Sequence, residues 1–499
     1  MRARRPIAVA LLLAASLMAN AGIAAASPSP DGGTLVTPSQ ATRALHRAEA
    51  ALHGSGAQGQ DVTTLLLRLQ RAIPSLGSAQ RQAANDLLAR PTDKVDPQGT
   101  SYRTAEHSPP LCSAHFCVHW VDSSVDAPPK TDANGNGIPD FVEQASQIAE
   151  YSYSIENDKL GWAPAKSDGT LGGDSRTDIY LANVGNQGVF GYTAPDPGQS
   201  QKHGVYTYLV MDNDFSAQEF PGTTPLGDLQ VTFAHEYNHV LQFSYTALQD
   251  LWFIEDSATW MEDQVYPEIN DYFRYLKSFA NATRTPLTFG SSRVYGDVVF
   301  NHWIASRYGP QVIRDAWAGA PQAKPYSFSV NAYNRSLRLN GGQDVSHEFG
   351  QLAAASAEWH SPGVFNYPDL PAWPEIKRIG KLVPGRTFKT TLDHTSYQQV
   401  RVARTSGGRL ILRAGTRRGV PEAIALVGRI GDEPTGTVES AYKYAAHGGL
   451  QNVVLNDPGR FSRITAVLVN TETRQKGFGL RDWLYRHDNE PFRAKLLQR

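Results

Sequence analysis

The stretch Val231-Thr232-Phe233-Ala234-His235-Glu236-Tyr237-Asn238-His239-Val240-Leu241-Gln242-Phe243 decides how the rest of the chain is read. Two histidines stand four residues apart, with a glutamate directly after the first. On a helix four residues advance about 400°, so the imidazoles share one face about 40° apart. Both can then reach one metal ion at the ~2.0–2.1 Å of a Zn–N bond, while Glu236 stands beside them as a base for water rather than as a ligand. Histidines and tyrosines aside, Glu236 is the one acid or base between Leu229 and Gln249, in a segment rich in Val, Phe and Leu. A lone carboxylate in such a helix is costly unless a cation compensates it. The alternative is a chance match, two partly exposed histidines on an ordinary helix, and the rest of the chain has to decide.

A chain of 499 residues is too long for one ordinary core, which implies two or three domains. Its 41% hydrophobic and 19% charged content suits a globular protein. A formal net charge of −1 offers no electrostatic case for nucleic acid or for a polybasic membrane anchor. At the N-terminus, Arg2, Arg4 and Arg5 precede an apolar run from Ile7 to Met18, then Ala24-Ala25-Ala26 and Ser27-Pro28. This is the order of a secretory signal peptide, residues 1–26, cleaved after Ala26. The rival reading is an uncleaved anchor, since Pro6 to Ala26 nearly spans a bilayer. No cysteine follows the run, as a lipoprotein would require, and no later segment is apolar enough to cross a membrane. The expectation is a secreted protein with no membrane insertion after cleavage. Its two cysteines, Cys112 and Cys117, suit a small disulfide loop in an oxidising compartment. A zinc site shared with His115 and His119 is the weaker alternative.

Residues 27–100 read as a Pro/Gly/Ser-rich linker followed by two or three helices, with Leu45, Ala48 and Leu52, then Leu65, Leu66, Leu67 and Leu69, then Ala83, Ala84, Leu87 and Leu88 as apolar positions. This segment is either a propeptide covering the site or a permanent N-terminal subdomain. Next comes Asp132-Ala133-Asn134-Gly135-Asn136-Gly137-Ile138-Pro139-Asp140-Phe141-Val142-Glu143, an oxygen-ligand calcium loop at full spacing. Asp132, Asn134, Asn136 and Asp140 offer side chains, Ile138 a carbonyl, and Glu143 a bidentate carboxylate. A hard cation needs about six to eight such oxygens. The competing reading is an Asn/Gly turn that caps a helix starting near Phe141. Pro139, and Pro128-Pro129 where an entering helix would be, point to a lone structural site rather than a paired switch.

Strands are expected at His115–Val121, Thr177–Ala182 and Tyr206–Met211, then a helix from Thr224-Pro225 to about Tyr245, with Thr as N-cap and Pro at the first position. A two-histidine site needs one more protein ligand to leave a position for water. Glu255 in Asp250-Leu251-Trp252-Phe253-Ile254-Glu255-Asp256-Ser257-Ala258-Thr259-Trp260-Met261-Glu262 is the best candidate, ahead of Glu262, about two turns on, and Asp256, which points about 100° away. A solvated glutamate at a helix start is the plain alternative. A third histidine six residues after His239 would mark a metzincin, but Tyr245 stands there, and that class is excluded.

These residues resemble the gluzincin metallopeptidases, especially the aminopeptidase branch with a thermolysin-like domain. There the second helix carries a segment like Asp-Leu-Trp-Leu-Asn-Glu-Gly-Phe-Ala-Ser-Trp-Val-Glu, whose glutamate, the third zinc ligand, falls on Glu255. Ser291-Ser292-Arg293-Val294-Tyr295-Gly296-Asp297 looks like the segment whose tyrosine stabilises the oxyanion, which puts Tyr295 forward, with His302 and Tyr308 as lesser candidates. A core tyrosine at a helix start is the alternative for Tyr295. Where that branch has Gly-x-Met-Glu-Asn on the strand lining the cleft, this chain has Leu209-Val210-Met211-Asp212-Asn213, which points away from recognition of a free amine. Residues from about Ser101 to Trp373 also resemble a group of secreted bacterial metalloproteases assigned from sequence.

From residue 376 to 499 alternating strands such as Thr387–Leu392, Gln398–Val402, Arg409–Arg413 and Ile464–Val469 suggest a β-sandwich, which by analogy binds a surface or glycan. The expected fold is thus an α+β zincin (thermolysin-like) catalytic domain over 101–375, with an N-terminal helical segment and a C-terminal all-β sandwich-like domain. The expected function is Zn²⁺-dependent peptide hydrolysis, with Ca²⁺ in the loop, a polypeptide substrate and Glu236 as base. Two rivals remain: a catalytically silent zincin-fold binding protein attached through its β-domain, and a zinc hydrolase of a non-peptide substrate.

Overall fold

The computed structural model describes residues 36–54, 62–96, 99–199, 204–322, 328–432, 435–478 and 483–499. The expected signal peptide, 1–26, and most of the linker lie outside the described residues. Three helices come first: α1 (Pro38–Leu52), α2 (Val62–Ala72) and α3 (Ser78–Leu87). They precede β1 (Leu111–Cys112), β2 (Phe116–His119), α4 (Asp140–Tyr153), β3 (Thr177–Ala182), β4 (Gly191–Pro195) and β5 (Thr207–Asp212). The helical region continues with α5 (Pro225–Tyr245), α6 (Leu251–Val265), α7 (Phe273–Asn281), α8 (Val298–Tyr308), α9 (Gln311–Gly319), α10 (Ser329–Leu339) and α11 (Val345–Ala355).

The first sheet has the order β1-β2-β3-β5-β4. Strands β2, β3 and β5 run parallel, and β4 closes the edge antiparallel to β5. Alternate side chains go to opposite faces. Phe116, Val118, Ile179, Leu181, Leu209 and Met211 pack with α4 and α5, through Val142, Ile148, Phe233, Tyr237 and Leu241. Tyr180, Tyr192, Ala194, Tyr208 and Val210 face the first three helices, through Leu45, Leu66, Leu69 and Leu87. Both faces are covered, which is why the central strands read as continuous apolar runs. Strand β4 was not expected. Gly191 and Pro195 at its ends dilute the strand signal, and an edge strand tolerates both.

The segment after α3 is anchored by Arg90, whose guanidinium lies buried among Asp168, Asp178 and Asp196, with Nε 2.8 Å from Asp196 Oδ1. Such a cation and its carboxylates are affordable out of water only because each is paired.

The C-terminal strands are β6 (Lys381–Leu382), β7 (Thr387–Leu392), β8 (Ser396–Val402), β9 (Arg409–Gly415), β10 (Glu422–Ile430), β11 (Thr437–Ala445), β12 (Gln451–Asn456), β13 (Arg463–Asn470), β14 (Gln475–Phe478), β15 (Trp483–Tyr485) and β16 (Glu490–Gln498). A five-stranded sheet, β11-β10-β13-β8-β6, stacks on a four-stranded one, β12-β9-β16-β7. Ile424, Leu426, Val400, Ala466 and Leu468 meet Leu410, Leu412, Val453, Phe492 and Leu496 between them. The opposite face of the larger sheet, with Ala423, Val427, Val467 and Tyr397, joins the helical core. Tyr397 Oη and Gln399 Nε2 both contact Ser356 Oγ there, at 3.1 and 3.0 Å. The sandwich is therefore packed against the helical region through its larger sheet. The architecture is α+β.

Candidate metal centre

Helix α5 starts where the sequence says it should. Thr224 is extended, its side chain accepts the Gly227 N–H, and Pro225 takes the first helical position. Nearly every residue from Asp228 to Phe243 is buried, so α5 is a central helix wedged between the sheet and α6. Helix α6 begins at Leu251 behind Asp250, which places Glu255 in its second turn, facing α5. His235 Nε2 lies 3.4 Å from Glu255 Oε2, and His239 Nε2 lies 3.7 Å from Glu255 Oε1. The three candidate ligand atoms all fall within 4.8 Å of one another.

Each imidazole is oriented from behind. Glu262 Oε1 sits 2.7 Å from His235 Nδ1. Gln242 Oε1 sits 2.9 Å from His239 Nδ1, and its Nε2 donates to Asn238 Oδ1 and Ile254 O, which fixes the amide orientation. A carboxylate and an amide oxygen only accept, so in both rings Nδ1 carries the hydrogen; His239 Nε2 turns a lone pair inward, and His235 Nε2 does so once a cation displaces its second proton. His239 Nε2 is buried and makes no hydrogen bond. Burial, then the charge of His235, pushes the His239 pKa well down, so this ring is neutral. For His235 burial is the largest single influence and opposes the cation, but hydrogen bonds to Glu255 and Glu262 outweigh it and carry its pKa well up. Two inward-facing nitrogens and a buried carboxylate, held by partners of this kind, fit Zn²⁺.

Glu236 is itself held. Its Oε2 accepts from Thr63 Oγ1 at 2.8 Å, and Thr193 Oγ1 lies 3.0 Å away. Behind α5, Asn238 Nδ2 donates to Glu156 Oε2 at 3.0 Å. Glu156 is fully buried in a π-helical turn, Ser154–Lys159, and burial pushes its pKa well up. Such turns widen a helix by one residue and recur at functional sites. A continuous chain of contacts thus runs Glu156–Asn238–Gln242–His239.

Tyr295 lies in a 3₁₀ turn, Ser292–Asp297, with its ring centroid 6.1 Å from that of His235. Tyr275 of α7 flanks it at 5.0 Å. Sequence reasoning missed Tyr275; burial, with Glu262 and Asp271 nearby, pushes its hydroxyl pKa up. The lesser candidates lie elsewhere. His302 is buried among Tyr272, Tyr367 and Trp373, and burial lowers its pKa to about 3. Tyr308 donates to Glu348 Oε1 at 2.7 Å. Asp256 is buried beside Glu255, where burial and then Asp297 push its pKa well up.

Asp212 and Asn213 do not line a cleft. Backbone N–H groups of Gly185 and Phe215 donate to the Asp212 carboxylate at 2.6 and 2.7 Å, and Asn213 Nδ2 bonds the carbonyls of Val125 and Ala127. Burial raises the Asp212 pKa to about 7 against those bonds. Strand β5 is interior, and the edge beside α5 is β4, so the expectation that Leu209–Asn213 lines the cleft is corrected.

The loop from Asp132 to Glu143 folds onto itself. Asp132 accepts N–H groups of Gly135, Asn136 and Gly137, and Asp140 Oδ1 accepts the Ala133 N–H. Asn134 and Asn136 both donate to Glu143. Gly135 and Gly137 have φ of 72° and 84°, where a Cβ would be strained. Asn134 and Asn136 thus turn their amide nitrogens to Glu143, while their oxygens accept the N–H groups of Asn136 and Ile138 at 3.0 and 2.9 Å. This donor set, all oxygen and half exposed, suits Ca²⁺. Cys112 and Cys117 form a disulfide across the β1–β2 hairpin. The histidines of the rival zinc reading are engaged elsewhere: His115 with Glu150 at 2.7 Å, His119 with Asp178 at 2.8 Å.

Residues 81–405 match a family described as a family of unknown function (DUF6055), and the chain belongs to it. That span holds the Asp132 loop, His235, Glu236, His239, Glu255 and Tyr295, but not Thr63. No curated protein matches the chain. Among solved structures, one titled Family 16 Carbohydrate Binding Module-2 is 18% identical, covering 22% of this chain and 76% of its own, with a TM-score of 0.15. Among the described residues no helix is long and apolar enough to cross a membrane.

Proposed function

We propose that this protein is a secreted zinc-dependent hydrolase of the gluzincin kind, acting on peptide bonds. The convergence of His235 Nε2, His239 Nε2 and Glu255, within 4.8 Å and each histidine oriented from behind, carries the reading. His235, His239 and Glu255 would hold Zn²⁺, which supplies Lewis acidity toward a carbonyl and lowers the pKa of water. Glu236 takes a proton from the attacking water and returns it to the leaving nitrogen. Tyr295, beside His235, donates its hydroxyl hydrogen to the oxygen that gains negative charge. The loop Asp132–Glu143 would hold Ca²⁺ as a brace for the start of α4. The zincin assignment rests on the helix pair α5–α6 packed beneath a sheet whose free edge, β4, flanks Glu236.

The test is metal content together with cleavage of an unstructured protein such as casein. Glu236→Gln should keep one zinc per chain and lose about 10²–10⁴ in rate. A purified chain without zinc affinity, or a Glu236→Gln variant as fast as the parent, would sink the proposal.

A further inference from the structure

Glu236 is reached by a residue that no metal-site motif contains. Thr63, fully buried in the first turn of α2 and 173 residues away in sequence, donates its hydroxyl hydrogen to Glu236 Oε2 at 2.8 Å. The same Thr63 oxygen accepts the Thr193 N–H at 2.9 Å. Thr193 is the middle residue of β4, which among the described residues pairs along its other edge alone, with β5. An outward N–H on a free sheet edge is where an extended polypeptide adds as a further strand. Helix α2 covers that edge here. It is clamped on both sides: Gln70 Nε2 donates to Asp196 O, just past β4, and Arg71 Nη2 donates to Ala247 O, just past α5. Leu67 enters the core shared with α5, and Val62, Leu65, Leu66 and Leu69 are buried.

We propose that the hairpin α1–α2 is an intramolecular inhibitor, with Thr63 tying up the catalytic base and the substrate-pairing strand together; this rests on the hydrolase reading above. Three observations say where it separates. Gly77, Ser78 and Ala79, between α2 and the body of α3, are exposed. The family-matched span begins at residue 81, past both helices of the hairpin. Arg90, caged by Asp168, Asp178 and Asp196, lies beyond that point and stays with the domain, so these three carboxylates keep their cation. Hydrolysis of one peptide bond within 77–79 by a second protease, water adding to give a new carboxylate and a new ammonium, converts the tie into a dissociable one. An intramolecular contact acts at an effective concentration in the millimolar range, and a released peptide does not.

The experiment places a sequence-specific protease site between Gly77 and Ser78 of the full chain. Casein hydrolysis and zinc content are followed before cutting, after cutting, and after removal of the fragment. Release should raise the rate by about tenfold or more, and a synthetic peptide of residues 36–77 should reverse the gain. The same peptide carrying Thr63→Val should inhibit about tenfold less tightly. Should the released domain precipitate, Thr63→Val in the uncut chain gives the second reading, an increase of about threefold in basal rate. Equal rates before and after release, or an uncut Thr63→Val chain no faster than the parent, overturn latency while the hydrolase reading stands. Zinc-loaded protein inactive in every form overturns the hydrolase reading, and latency falls with it.

Discussion

At His235, His239 and Glu255 the donor atoms come from two helices and are almost wholly buried, whereas at Asp132–Glu143 they come from a single loop and are half exposed. The loop organises its oxygens locally, within twelve residues of chain, by turning backbone N–H groups onto Asp132 and two amides onto Glu143. The buried cluster has no such local means. Its geometry depends on Glu262, Gln242, Asn238 and Glu156, drawn from α5, α6 and the π-helical turn after α4. A site near the surface is written in its own residues, and a buried one is written mostly in what stands behind it.

The sharpest way to break this contrast is to remove one donor from each site. Glu255→Ala should abolish stoichiometric zinc binding and all hydrolysis, because two imidazoles alone leave the third position to water. Asp132→Ala should leave zinc content unchanged and lower the melting temperature by several degrees only when calcium is present. If Asp132→Ala lost zinc as well, the two sites would be one cooperative unit and the contrast would fail.

A smaller effect separates donor from support. Glu262→Gln should weaken zinc affinity by about 10–100-fold without abolishing it, as measured by competition with a chelator. The pH dependence is smaller still. Burial, working against the hydrogen bond to His235, raises the Glu262 pKa from 4.5 to about 7. A carboxyl raised on folding contributes stability that is full below pH 4.5 and lost as pH rises through about 7. The zinc-free protein should therefore melt progressively lower across that window, and Glu262→Gln should flatten the slope. Zinc binding favours deprotonated ligands, so the gain in melting temperature on adding zinc should grow over the same range. A gain that shrinks with pH would show that the cluster binds its cation some other way.

The same contrast explains what could be read in advance. Helix α5 was legible because Thr224, Pro225 and the four-residue spacing are local signals. So were the Asp132 loop and the strands of the sandwich, whose alternation shows which side chains face inward. Glu255 was legible through its apolar neighbours. Glu262 was weighed only as a ligand, since sequence spacing says nothing about which nitrogen of His235 a carboxylate meets. Nothing in the sequence marks Gln242 as the residue that meets His239 Nδ1. Thr63 carried no signal at all, because its role exists only once α2 lies along β4. That strand was itself hidden by Gly191 and Pro195, and without it β5, which ends at Asp212, reads as the strand beside the cleft instead of an interior one.

The cage around Arg90 has a consequence for the life history of the chain. Asp168, Asp178 and Asp196 arrive from three separate stretches, and a single guanidinium satisfies them together. Asp178 also meets His119 of β2, but Asp168 and Asp196 gain their cation only when the end of the helical segment docks on the sheet. The Arg90 side chain thus links the end of the helical segment to the sheet, whatever later becomes of the hairpin ahead of it. A chain that began after Arg90 would be missing this cation, while one trimmed at 77–79 would keep it.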